Sequence, residues 1–331
     1  MVRRDKVADV FLFMFAMVFC GAAHTQTKAE AVFLDIPGHE VSFEASYGLL
    51  AIEGEEIVFR DDKTNNKLSQ LLFNSQLSCF NLGLRYNWLR PAGRAGFYLN
   101  GGVKFAFSSK AGELTDSDWT YLYYPEALSH YSVHKTKDDE GFIGEAELGL
   151  LCRVFNTFLI KLGLSYNYME FNWEAFNGAF LYPTEHGGHD LLSDEYDIKV
   201  ITYRQIWHII APAFSFSGPI SRYVSFDIGV KASPVIFFSG EDNHLLRELV
   251  ITGDFFGGLF VESTVVVSLM VKPFKISAFS TVQYISKTRG DGYYKGDIEG
   301  NGNIAAFTND NGNGAGFFSL AAGVLLTLNI F

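Results

Sequence analysis

Alternation at period two, repeated along most of the chain, is the property that most limits what this sequence can fold into. Phe97, Leu99, Val103, Phe105 and Phe107 share one parity, and Tyr98, Asn100, Gly102, Lys104 and Ser108 share the other. Val224, Phe226, Ile228 and Val230 alternate with Ser225, Asp227, Gly229 and Lys231; Leu320, Ala322, Val324, Leu326, Leu328 and Ile330 alternate with Ser319, Gly323, Thr327 and Asn329. Successive side chains of a strand point to opposite faces, so each run carries one apolar and one small or polar face. No helical periodicity is sustained over three turns. Lipid outside and a polar lumen inside demand this pattern, and a closed barrel satisfies its backbone hydrogen bonds without water. Composition agrees: 48% of the residues are hydrophobic and 16% aromatic, yet mean hydropathy is only +0.11. Beyond the N-terminus no uninterrupted apolar run is long enough for a membrane-spanning helix.

Punctuation between the runs predicts a ten-stranded antiparallel transmembrane β-barrel, closed, with long extracellular loops. Short turns fall at 89–93, 156–157, 218–221 and 272–274, and long polar segments at 61–66, 109–139, 183–197, 240–247 and 289–316. Strands are expected near 40–58, 67–89, 95–110, 140–155, 158–182, 198–217, 223–239, 249–271, 275–287 and 316–331. Several exceed the roughly 9–11 residues needed to cross a bilayer, so their ends should form a rim beyond it. The Gly- and Asn-rich segment 301–316 reads as a mobile loop. Arg3, Arg4 and Lys6, the apolar run Val10–Phe19 and the small residues Gly21, Ala22 and Ala23 read as a cleaved secretory signal over residues 1–23, leaving one domain over 24–331. Cys79 and Cys152 do not make a disulfide framework; two buried or lipid-facing thiols are expected, with a single bridge the alternative. The terminal Phe331 is out of phase with the apolar set that precedes it.

Two acidic stretches could carry chemistry. Asp116 and Asp118 are two apart, so on an extended strand they present carboxylates to one side, on the inward parity of Tyr98, Asn100 and Lys104. Asp242 and His244 likewise present a carboxylate and an imidazole together. A carboxylate beside a histidine orients the ring and raises its basicity, which suits a general base, and paired carboxylates can hold a water. No serine elbow or metal-binding histidine pair competes, so activated water is the expected nucleophile. Counting by twos from Asp242 back to Phe226 and Ile228 reaches the lipid-facing parity. A one-residue offset at Pro234, Ser239 or Gly240 is therefore required for the pair to face inward. The net charge of -11 disfavours nucleic acid as the main partner and permits attraction of basic peptides. Solvated loop charge is the plain alternative for all of these acids.

In this order the motifs resemble the omptin family of outer-membrane endopeptidases. Lys67-Leu68-Ser69-Gln70-Leu71 is similar to the family's second strand, and Thr115-Asp116-Ser117-Asp118-Trp119 to its acidic couple. Ser132-Val133-His134 resembles a Ser-x-His of the next loop, for which structural roles are expected. Ile201-Thr202-Tyr203-Arg204-Gln205, leading to Ala211-Pro212-Ala213, looks like the sixth strand, and Asp242-Asn243-His244 resembles the family's Asp-Glu-His. The resemblance implies a ten-stranded barrel in the outer membrane with an active site at its extracellular mouth. It makes His244 the general base, Asp242 its orienting partner, and Asp116 and Asp118 the holders of the attacking water. It makes Glu56 a carboxylate for the basic side chain before the scissile bond; Glu53, Glu55, Asp61, Asp62 and Glu241 would add an acidic rim. The family's second pocket acid falls on Gly240 here. Its lipopolysaccharide-binding positions fall on Tyr168, Glu170 and Ile206, so activation by that lipid in the family manner is not expected, and no other cofactor is. The expected partners are basic peptides or proteins and the lipid of the outer membrane. A non-catalytic barrel serving as adhesin or host-protein receptor is the alternative, and a porin a weaker one, because aqueous channels are typical of larger barrels.

Overall fold

The computed structural model describes residues 38–60, 65–90, 94–108, 112–121, 123–155, 157–183, 189–193, 197–271, 273–297 and 303–330. The expected signal segment, Asp61, Asp62 and Phe331 lie outside these residues. Among them the chain forms fourteen strands in one sheet. They are β1 (His39–Phe59), β2 (Lys67–Leu89), β3 (Ala95–Ser108), β4 (Gly112–Asp118), β5 (His130–Val154), β6 (Phe158–Pro183), β7 (His189–Ser193), β8 (Lys199–Pro219), β9 (Val224–Ser233), β10 (Ile236–His244), β11 (Leu249–Phe256), β12 (Phe260–Val271), β13 (Phe274–Gly296) and β14 (Ala305–Asn329). Every pairing is antiparallel. β1 lies between β14 and β2, and the neighbours continue β2–β3, β3–β5, β5–β6, β6–β8, β8–β9, β9–β12, β12–β13 and β13–β14. One short 3-10 turn, Leu245–Arg247, follows β10.

Alternation accounts for which face each strand buries. Phe97, Leu99, Phe105 and Phe107 are exposed on the outer face, while Tyr98 and Ala106 are buried. Val324, Leu326, Leu328 and Ile330 are likewise exposed, and Leu325 and Thr327 buried. With Leu82, Leu84, Leu148, Leu150, Leu162 and Leu164 they make an outward apolar band at the short-turn end of the sheet. Inside this band the side chains are charged and mutually paired. Lys231 bridges Glu262 at 3.0 Å and Glu147 at 3.7 Å, and also meets Glu145; Arg85 pairs with Glu44 at 3.0 Å. Ion pairing of this kind is what allows charge to be carried away from water.

Above the paired charges sits the apolar core. Phe73 stacks on Tyr203 at 4.9 Å, Phe171 on Phe317 at 4.8 Å and Phe238 on Phe255 at 4.3 Å, with Trp173 and Trp207 fully buried among them. Glycine admits two of these rings. A Cβ on Gly54 would lie 2.8 Å from the Trp173 ring, and one on Gly240 would lie 2.5 Å from Phe238. Cys79 and Cys152 are both free thiols, Cys79 buried.

Several strands run further than expected, always away from the apolar band. Instead of a loop over 109–139, β4 pairs with the first seven residues of β5, Asp116 opposite Ser132. Segment 301–316, expected to be a mobile loop, contributes the start of β14, paired with β13 from Ala305 and with β1 from Asn313. β13 likewise continues to Gly296, past the expected end at Lys287. In these stretches the outer face is polar, as Lys135, Arg204, Glu241 and Asp291 are exposed. An extension with polar groups on its outer face loses the alternation that marks a strand within the band.

Candidate active site

The dyad faces inward because the backbone supplies the offset it needs. Ala213 is opposite Lys231 and Ile209 opposite Ile236. Between those pairs the strand containing Pro234 takes one more residue than β8. Lys231 and Ser233 are buried on one side of this bulge, and Ile236, Phe238, Gly240 and Asp242 on the other. Pro234 can sit there because the break requires no ladder donor. The result is that Asp242 is only 1% exposed, and His244 donates from Nε2 to its Oδ2 at 2.7 Å. That bond leaves Nδ1 as the ring's second site.

Asp116 and Asp118 share the face of the buried Leu114 on β4, as their spacing requires. Register carries Asp116 to the cluster. Glu56, Leu71, Asp116 and Ser132 are successive cross-strand partners through β1, β2, β4 and β5. Asp242 is opposite Tyr203 on one side and Ile251 on the other. The two halves meet electrostatically. Asp116 is pushed up to about 8 by burial first, then by the charge of Asp118, with Asp242 adding to it and the His244 and Arg247 charges opposing. Burial alone would lower His244; the charge of Asp242 and its hydrogen bond, helped by Asp116, more than offset this and bring it up to about 9. Glu56 is 4% exposed, and its carboxyl is raised well above the usual range by burial and by the Asp242 charge.

One oxygen on each of three carboxyl groups, Asp116 Oδ1, Asp242 Oδ1 and Glu56 Oε2, is buried without a hydrogen-bond donor. Beneath them the aromatic layer of Phe73, Trp173 and Tyr203 separates the cluster from the paired charges below. Four acids around one imidazole, floored by aromatic rings, can hold a water and exchange protons with it.

The expected satellites are also accounted for. Ser132 donates to His134 Nε2 at 2.8 Å, and His134 Nδ1 donates to the Phe176 carbonyl at 3.1 Å. Burial lowers His134, and the His244 charge lowers it further, so it is a neutral, fixed ring beside the cluster. Glu53 and Glu241 are exposed rim acids. Glu55 faces away from the cluster and receives Lys287 at 2.6 Å. On the outer face, Tyr168 donates to Glu170 at 2.6 Å and Arg204 pairs with Glu170 at 2.8 Å. Three participants escaped the sequence reading: Arg247, whose charge acts on Asp116 and His244; Tyr203, opposite Asp242; and Asn313, which donates to Glu56 Oε1 at 3.2 Å. Asn311 is left-handed at φ 52° and the β13–β14 register shifts between Asn309 and Asn313, so no regular alternation marks Asn313 in the segment expected to be a loop.

A single antiparallel sheet, apolar outward and ionisable inward at one end, defines a membrane β-barrel class. Within it, the chain belongs to the omptin family, whose model matches residues 38–327. Among solved structures, the outer membrane protease OmpT from Escherichia coli is similar with a TM-score of 0.74 and 16% identity, over 88% of this chain and 97% of that one. The toluene transporter TodX from Pseudomonas putida matches with a TM-score of 0.35 and 9% identity, over 87% and 89% of the two chains. The transport unit of the autotransporter AIDA-I from Escherichia coli gives 0.35 and 9%, over 96% and 97%. No curated protein matches the chain.

Proposed function

We propose that this chain is an endopeptidase of the outer membrane, a closed ten-stranded barrel that cleaves peptides at its extracellular mouth. Closure is supported by the neighbour sequence, which returns from β14 to β1; β4, β10 and β11 then count as continuations of β3, β9 and β12, and β7 as a hairpin on β6. The outward apolar band suits lipid. Family membership and the likeness to a protease fold favour hydrolysis of peptide bonds.

The observation that carries the chemistry is the 2.7 Å dyad held inward by the Pro234 bulge, within the field of Asp116. In this reading Asp242 fixes the tautomer of His244, leaving Nδ1 to take a proton from water. Asp116 and Asp118 hold that water from the opposite side and stabilise the charge that develops as it attacks the peptide carbonyl. The base must be a neutral imidazole, so activity grows as His244 loses its proton. Exposed acids at the rim, Glu53, Glu113 and Glu241, favour basic substrates, and Glu56 lies on the floor of the same cleft. Ile206 and the already paired Glu170 support independence from lipopolysaccharide in the family manner.

The test is incubation of the purified, lipid-inserted protein with a broad peptide library, analysed by mass spectrometry. Cleavage clustered beside Lys or Arg is the expected result. An intact library overturns the enzyme reading and leaves a binding barrel.

A further inference from the structure

β4 and β5 are joined by an aromatic loop, Trp119 to Leu128, that begins directly after Asp118. The proposed chemistry leaves it unused. Its ends are tied together. Ser129 donates to the Asp118 carbonyl from its N–H at 2.7 Å and from its Oγ at 2.9 Å, and that Oγ receives the Thr120 N–H at 2.9 Å. The Trp119 N–H meets the Leu68 carbonyl at 2.9 Å, and Arg60 holds the carbonyls of Trp119 and Tyr121. A turn from the Ala127 N–H to the Tyr124 carbonyl, 2.9 Å, rounds the tip. Fastened in this way, the loop presents Tyr123 and Tyr124 at 91% and 73% exposure. Compact closed loops with rings turned to solvent mark interaction sites.

The rings are too far from the apolar band to serve as a membrane belt. Of the large apolar residues exposed on β2, Phe80 is nearest the loop, and Ser69, eleven steps further on, is opposite Asp118. At about 3.4 Å per residue and a tilt of about 40°, that is roughly 28 Å of height. A glycan would need polar side chains beside the rings for its hydroxyls. Here Thr120 and Ser129 bond each other at 2.9 Å, and Arg60 takes up the carbonyls. The loop carries one acid, the exposed Glu126, and no lysine or arginine.

We propose that Tyr123 and Tyr124 form an extended subsite for a bulky apolar side chain of the peptide being cleaved. The proposal rests on the peptidase reading. The tip is about five residues from either end of the loop, so it lies within about 18 Å of Asp118. An extended peptide advances about 3.3 Å per residue, which puts the preferred side chain within about five residues of the cleaved bond. The fastened base lowers the ordering cost of binding, and tyrosine gives a large contact area with few rotatable bonds. The rim acids then read a basic residue at the bond, and the loop reads an apolar one away from it.

The experiment uses the full-length protein inserted in lipid and peptides that share one lysine at the cleaved bond. A single tryptophan or serine is moved through successive positions on each side. In the wild type, tryptophan at one or two positions should raise kcat/KM over serine by about 10-fold, through KM. That ratio should fall to about one in Tyr123→Ser/Tyr124→Ser and persist in Tyr123→Phe/Tyr124→Phe. A ratio that survives in the serine variant, or is absent at every position in the wild type, overturns the proposal. Equilibrium binding of the same peptides to His244→Ala, with and without the serine pair, supplies an arm that needs no cleavage. If the wild type cuts nothing, the peptidase reading fails and this arm decides the subsite. A tryptophan gain lost with the tyrosines supports it; equal binding, or none, overturns it. Tyrosine-dependent binding of an oligosaccharide without a tryptophan gain also overturns it and assigns the loop to a glycan. Tyr123→Ser alone serves if the double variant does not fold.

Discussion

The lower and upper halves of the interior handle buried charge in opposite ways. Below the aromatic layer Glu44, Glu145, Glu147 and Glu262 each meet a cation, Arg85 or Lys231, and Gln283 adds a bond to Glu262 at 2.7 Å. Above it Asp116, Asp242 and Glu56 each keep a buried oxygen without a donor, and one imidazole stands among them. Completed pairs hold a structure together; incomplete ones shift protons and can accept a substrate's. The same residue types are therefore completed by partners in one half and left incomplete in the other, as the proposed chemistry requires.

That contrast can be broken most severely at the dyad. Replacing Asp242 by Ala should lower kcat by about 10²–10⁴-fold, because the imidazole loses its tautomer and aim. The midpoint of thermal unfolding should change little by comparison, and an equal collapse of both would make Asp242 a structural residue.

In the lower half the expectation reverses. Lys231→Met should destabilise by roughly 3–5 kcal/mol, since three glutamates lose their partner, while kcat per folded molecule is retained. Denaturant unfolding alongside a peptide assay checks both, and a selective loss of activity would dissolve the distinction between the halves.

The pH dependence sharpens the account of the upper half. His244 lies at about 9 and Asp116 at about 8, both raised, so at neutral pH both retain protons that the reacting form must lack. Initial rates should climb as pH rises toward that range, and a profile already flat from pH 6 would show that neither proton matters. A smaller effect is expected at the floor. Gly54→Ala places a methyl 2.8 Å from Trp173 and should cost about 1–3 kcal/mol through overpacking, read as a lower unfolding midpoint.

Much of this was legible in the sequence wherever the two faces of a strand meet different surroundings. β2 begins and ends at Lys67 and Leu89 as expected, and the outward set Val324 to Ile330 is the apolar parity. The need for an offset before Asp242 was also visible, and Pro234 supplies it. β4, the start of β5 and the start of β14 were not legible, because beyond the apolar band the outer face turns polar and alternation fades. Nor could spacing reveal the influence of the Asp242 charge on Glu56. It arises from register around the sheet, which no local pattern encodes. Asp116 pairs with Asp118, and Asp242 with His244, because side chains two apart share a face; glycines on both sides of Asn313 hide any such pattern.

The most direct test of the central claim is the rate of His244→Ala against wild type on one cleaved peptide, with the unfolding midpoint measured on the same samples. The incomplete cluster predicts a loss of at least about 10²-fold in kcat with the fold intact. Equal rates from the two folded proteins would contradict it.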